Sequence, residues 1–282
     1  MTLDPRELGQ SNSDLAAILQ ELRRRAGLSG VQLARRVNMS QSKISKIETG
    51  RVTPSLVDVE LILRALDAPP DLIAHVTALA RIANTEWQDA RALRRKGLEK
   101  KQVELAALER TTSEFRFFLP TMITALLATP EYIRASLAPF PGDHSKAIAK
   151  KLERQAVLYE PGKRFNFILT EQACRWPLVP AQAMAMQIDR LASVSRLPNV
   201  RLGIIPLAGH KPWAPLNVFT VYDEALATVE VSTGALVFRD LRDIREYLDE
   251  FRTCEGYSLW GEDARVKLAE WADHYRGTPQ DL

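Results

Sequence analysis

Between residues 40 and 49 the sequence Ser-Gln-Ser-Lys-Ile-Ser-Lys-Ile-Glu-Thr sets hydrogen-bonding side chains around two apolar ones. Wound as a helix, it places Ile44 and Ile47 on one side and Gln41, Ser42, Lys43, Ser45 and Lys46 on the outward face. Amide, hydroxyl and ammonium groups gathered on one exposed face suit two targets, base edges in a groove and phosphate oxygens. The chemistry expected here is recognition of double-stranded DNA.

Such a face works only if neighbouring elements hold it at a fixed angle. Ser29 and Ser40 each precede apolar residues three or four apart (Val31, Leu33, Ala34 and Val37; then Ile44 and Ile47), which predicts two short helices with serine N-caps. Only Val37-Asn38-Met39 separates them, and Asn tolerates the left-handed backbone of a tight turn. Ala34 is small where the helices cross. Leu33, Val37, Ile44 and Ile47 are expected to share a core with Leu15, Ile18, Leu19 and Leu22 of a preceding helix. After Gly50 and Thr53-Pro54, the residues Leu56 to Leu66 suit a fourth helix, stopped by Ala68-Pro69-Pro70. The reader is therefore bounded at residues 1–70.

On Leu33-Ala34, Ser40, Ile44, Ile47-Glu48 and Gly50, residues 14 to 66 resemble the lambda-repressor/Cro-like helix-turn-helix domain of transcription regulators of the xenobiotic-response-element family. The resemblance implies that the helix from Ser40 to Thr49 enters the major groove. Gln41, Ser42 and Lys46 would then read base edges, and Ser29, Lys43 and Arg51 would lie at or near the DNA backbone. Glu48, which an anionic duplex would repel, is expected to pair with Arg35 or Arg36. Asp14 to Arg51 carries a local excess of about five positive charges, against +3 for the whole chain. That excess favours phosphate neutralisation and binding that weakens steeply with salt.

The chain has 282 residues, 46% hydrophobic and 26% charged, which predicts a globular protein of two domains. It has no run of about 18 uninterrupted apolar residues and no charged start followed by an apolar signal segment, so no membrane association is expected. A cytoplasmic, nucleoid-associated protein is the expectation. Cys174 and Cys254 form no CxxC pair, and His75, His144, His210 and His274 are scattered. Neither a disulfide, a metal site nor a cofactor is expected.

Residues 71–112 read as a helical connector. Asp71 suits the cap of a helix carrying Leu72, Ile73, Val76, Leu79, Ala80, Ile82 and Ala83, whose stripe would pack on the reader or on a second subunit. From Trp87 to about Thr112 helix formers dominate, with an interruption at Gly97 and a basic cluster of Arg91, Arg94, Arg95, Lys96, Lys100 and Lys101. A helical spacer of this kind would hold the two readers of a homodimer about one duplex turn apart.

Residues 113–282 change texture. Phe115 to Pro120 opens this part, and Thr129-Pro130-Glu131 starts a helix well, with a cap, a first-turn proline and a carboxylate favourable to the dipole. Helices are predicted over Asp143–Leu158, Ala181–Arg196, Asp240–Phe251 and Asp263–Tyr275. Strands are predicted over Arg164–Leu169, Val200–Ile205, Asn217–Val221, Ala227–Val231 and Ala235–Phe238. The expected fold class is multidomain: an all-α N-terminal domain, a helical connector and an α+β C-terminal domain with a small sheet.

On Phe118-Leu119-Pro120, Leu126 to Tyr132, Arg154-Gln155, Leu158, Phe167 to Glu171, Ile205-Pro206 and Phe219, residues 113 to 275 resemble the actinobacterial domain of unknown function 5753. This chain has Thr121-Met122 where the pattern has Gly-Leu, and Cys174-Arg175-Trp176 where it has Leu-Arg-Arg. The resemblance supplies a domain identity without a settled biochemical role.

Glu160, Glu171, His210 and Glu230 are candidate acids or bases, yet the sequence holds no GxSxG, no HExxH and no phosphate loop, so the chain is read as no enzyme. Glu171, Trp176, His210, Trp213 and Phe219 are the candidate residues for a ligand or partner site. For Glu171 the alternative is a helix cap, for the aromatics core packing, and for His210 an exposed loop. The second domain then senses a small-molecule effector or a small partner protein, as in antitoxin-like or companion-protein systems; a DNA-tethered enzyme is the third reading.

Overall fold

The computed structural model describes residues 11–89 and 98–278, without the side chains of 11–13 and 86–89. It divides into two compact units, Met1–Glu86 with Phe238–Asp240, and Trp87–Val237 with Leu241–Leu282.

The first unit is all helical: α1 (Ser11–Arg25), α2 (Gly30–Arg36), α3 (Gln41–Glu48), α4 (Leu56–Ala65) and α5 (Pro70–Ala83). Ser29 caps α2 in a reciprocal box with Gln32, and Ser40 caps α3 by accepting from the Lys43 amide at 3.1 Å. Asn38 takes φ +52° between them, the left-handed turn its side chain tolerates. Leu15, Leu19, Leu33, Ala34, Val37, Ile44 and Ile47 are buried in one core, with Ile18 and Leu22 partly buried against it. Each fully buried aliphatic side chain contributes about 1.5–3 kcal/mol. Val76 and Ala80 of α5 join that core, so the stripe whose partner the sequence left open packs on the reader, and the unit runs past residue 70. A remote segment joins it as well. The Leu56 amide at the start of α4 donates to Asp240 Oδ2 at 3.2 Å, and Asp240 is itself buried.

The expected helix from Trp87 is corrected at its start: Thr85–Asp89 is a strand, β1. Its sequence, Thr-Glu-Trp-Gln-Asp, has no run of helix formers and two β-favouring residues. Gly97 and the basic residues Arg91, Arg94, Arg95 and Lys96 lie outside the described residues. Lys100 and Lys101 belong to α6 (Leu98–Thr111).

The second unit is built on a mixed sheet of β2 (Glu114–Leu119), β3 (Arg164–Thr170), β4 (Val200–Ile205), β5 (Val218–Tyr222), β6 (Leu226–Val231) and β7 (Gly234–Phe238). The order is β7-β6-β5-β2-β3-β4, with the short β1 beside β7. β2, β3 and β4 run parallel. The crossover from β2 to β3 carries α7 (Pro130–Leu137) and α8 (Ser145–Arg154), and that from β3 to β4 carries α9 (Glu171–Arg175) and α10 (Ala181–Val194). Helices α11 (Leu241–Gly256) and α12 (Gly261–Gly277) close the unit.

Register decides which face each side chain serves. Phe115 pairs with Phe165 and Phe117 with Phe167, so their rings stack at 4.6 and 4.8 Å between centroids. With Leu169, Leu202 and Ile204 they form the larger core, which Met184, Ile188 and Leu268 complete. The alternate residues Arg116, Phe118, Asn166, Ile168, Arg201 and Gly203 leave the sheet on the other face. The central strand β2 is absent from the strands predicted by sequence, although Phe115, Phe117 and Leu119 alternate as a half-buried strand requires.

Candidate nucleic-acid interface

α3 has the amphipathic form its spacing predicts. Ile44 and Ile47 are each 1% exposed, whereas Gln41, Ser42, Ser45 and Lys46 are all exposed. Two long-range contacts fix this face to the body of the unit. Arg23 of α1 forks onto Glu48, donating from Nε to Oε1 at 2.6 Å and from Nη2 to Oε2 at 2.8 Å. The Arg23 guanidinium is held above its ordinary pKa by this hydrogen bond, against the opposing effect of burial. The expected partners of Glu48, Arg35 and Arg36, are thus corrected to Arg23. Arg36 instead donates to the Ala65 carbonyl at 3.2 Å. The second contact joins Lys43 Nζ to Asp58 Oδ1 of α4 at 2.8 Å.

These contacts separate the candidate DNA residues into groups. Gln41, Ser42 and Lys46 share the open side of α3. Arg51, just beyond α3, is exposed, and its amide closes the turn on the Lys46 carbonyl at 2.9 Å. Lys43 is half-buried and already has a carboxylate partner, so a phosphate would have to share or displace Asp58. The Ser29 hydroxyl is engaged in capping α2.

The candidate residues of the second unit do not gather at one point. Glu171 opens α9, pairs with Arg175 at 2.7 Å and accepts the Leu207 amide at 3.0 Å, so it ties two segments of chain together; Thr170, not Glu171, supplies the cap. Trp176 is 54% exposed at the end of that helix, and His210 is exposed in its loop. Phe219 is buried between Phe118 and Tyr247, and Trp213 lies 5.7 Å from the Phe118 ring. Cys174 and Cys254 are free and buried. Burial raises both thiols, that of Cys254 to about 12. Among the described residues no three His, Cys, Asp or Glu side chains form a group that could hold a metal, and no helix is long and apolar enough to cross a membrane.

Residues 14–76 match the model of a helix-turn-helix domain, and residues 102–270 match that of a domain of unknown function, DUF5753. No curated protein matches the chain. Among solved structures it is similar to NucT from Helicobacter pylori, at 9% identity and TM-score 0.38, over 63% of this chain and 98% of that one. It is also similar to a phospholipase D family member, Nuc from Salmonella typhimurium, at 6% identity and TM-score 0.36, over 63% and 97%. A third likeness is to TrmBL2, an archaeal chromatin protein, at 9% identity and TM-score 0.32, over 63% and 53%. The expectation that the chain is no enzyme is corrected by these neighbours. The TM-scores are too low to carry any particular activity to this chain.

Proposed function

Because the chain belongs to the family of the domain of unknown function DUF5753 and carries a helix-turn-helix domain that supports DNA binding, we propose that it is a sequence-specific transcriptional regulator. The observation that carries this reading is the division of α3: its apolar side is sealed into the core while Gln41, Ser42 and Lys46 stand exposed together on the other side. In this reading α3 lies in the major groove, those three side chains meet base edges, and Arg51, Lys43 and Ser29 face the phosphates. Two copies would place their α3 helices about one turn of duplex apart. The second unit is the regulatory input, and its occupancy biases how firmly the readers engage.

Selection from a pool of randomised duplexes tests the proposal. The full chain is expected to enrich a sequence with two related half-sites, and a chain carrying both Gln41→Ala and Lys46→Ala is expected to enrich none. Retention of random duplexes alone by the unaltered protein would overturn it.

A further inference from the structure

The face of the second unit's sheet opposite its main core carries a polar row. Arg116, Asn166 and Arg201 are register neighbours on β2, β3 and β4, so their side chains emerge side by side. The adjacent row is Phe118, Ile168 and Gly203, beside Phe219, which is what burial under a helix ordinarily requires. The polar row lines a cavity of about 280 Å³ with Leu248 and Phe251 of α11 as its apolar wall.

The row is connected but not saturated. Glu114 accepts from Asn166 Nδ2 at 3.1 Å and pairs with Arg116 Nη2 at 3.0 Å. Asn166 Oδ1 accepts from Arg201 Nη1 at 3.4 Å, and the same nitrogen donates to Glu255 Oε1 at 3.1 Å. Arg116 Nη1 is shut away from solvent without a hydrogen-bond partner, a costly condition that an acceptor would relieve. The Arg201 guanidinium lies over the Trp260 ring, 4.5 Å from its centroid. That ring lies close over Gly203, where an added Cβ would stand 2.7 Å from it. Three guanidinium groups, those of Arg116, Arg201 and Arg252, thus line the cavity, with Arg201 oriented by stacking.

We infer that this cavity binds a small organic carboxylate, its oxygens taken by Arg116 and Arg201 and its apolar body laid against Leu248 and Phe251. The inference rests on the reading of the second unit as a regulatory input and gives that input a ligand class. A planar carboxylate matches the fork of a guanidinium. A phosphate dianion would sit beside Glu114, Glu224 and Glu255 with twice the charge, and it has no hydrocarbon to bury on the apolar wall. The volume falls just below the range of roughly 300–1,000 Å³ usual for ligand pockets, so the ligand is small.

The full chain is titrated with phenylacetate and hexanoate, with their uncharged amides and with inorganic phosphate, and binding is followed by saturation-transfer NMR and tryptophan fluorescence. The acids are expected to bind at least roughly tenfold more tightly than the amides, and Arg116→Gln and Arg201→Gln each to weaken them by a similar factor. Lys211→Gln, in an exposed loop, leaves binding unchanged. Thermal melting reports whether each variant is folded, and Arg201, being exposed, is the variant expected to retain the fold. Equal binding of acids and amides, preference for phosphate, or unchanged affinity in folded Arg201→Gln overturns the inference. Absence of acid binding in protein that still selects a duplex overturns the site alone. Acid binding that leaves duplex affinity unaltered supports the site and removes the regulatory reading.

Discussion

The outward side of α3 and the polar row across β2, β3 and β4 both gather hydrogen-bond donors, and they differ in what those donors face. On α3 the donors are exposed, while the ion pairs Arg23–Glu48 and Lys43–Asp58 tie the helix to its neighbours. On the sheet the donors are tied to one another, through Glu114 and Glu255, beside an apolar helix wall. The first arrangement suits a large, hydrated, anionic partner that supplies its own acceptors. The second suits a small partner that must be enclosed. Side-chain type is similar in both; existing partners and the neighbouring helix wall separate their uses.

The largest effect is expected from releasing α3 from α1. The Arg23 and Glu48 side chains are 14% and 8% exposed, so Glu48→Ala leaves a largely buried guanidinium without its carboxylate, with the Leu28 carbonyl as its remaining acceptor. Chemical denaturation should register a loss of about 3–5 kcal/mol. A change below about 1 kcal/mol would mean that the pair is screened like a surface one. On the sheet, Gly203→Ala forces the Trp260 ring off the strand and with it the stacked Arg201. Destabilisation of about 1–3 kcal/mol is expected, with a shift in tryptophan emission; an unchanged emission would show that the ring is not held there.

Smaller effects distinguish readers from positioners on the α3 side. Lys46→Ala should cut the free-energy gap between the selected duplex and a scrambled one by roughly 1–3 kcal/mol, while leaving the melting temperature of the free protein unchanged. Arg51→Ala should weaken all duplexes alike and reduce the slope of log affinity against log salt by about 1. A sequence-dependent loss at Arg51 would move it among the base readers.

The reader was legible because its determinants are local. Ser29, Ser40 and Asn38 act within three residues of themselves, and the spacing of Ile44 and Ile47 fixes the buried side of α3. What joins distant segments was not legible: Glu48 meets Arg23 across 25 residues, and Asp240 reaches Leu56 across 184. In the second unit the apolar strands β3 and β4 declared themselves, whereas β2 was missed although Phe115, Phe117 and Leu119 alternate along it. The row Arg116–Asn166–Arg201 depends on strand register over separations of 50 and 35 residues. No local pattern specifies that register.

The central claim is that the exposed side of α3 reads base sequence. Its most direct test is the affinity of the unaltered chain and of Gln41→Ala for the selected duplex and a scrambled one, at a single salt concentration. Gln41 is exposed and outside the core, so the substitution leaves the fold intact. The ratio of the two affinities is predicted to fall roughly 5- to 150-fold, with binding to the scrambled duplex nearly unchanged. Equal losses on both duplexes would contradict the claim and make Gln41 a contact to the DNA backbone.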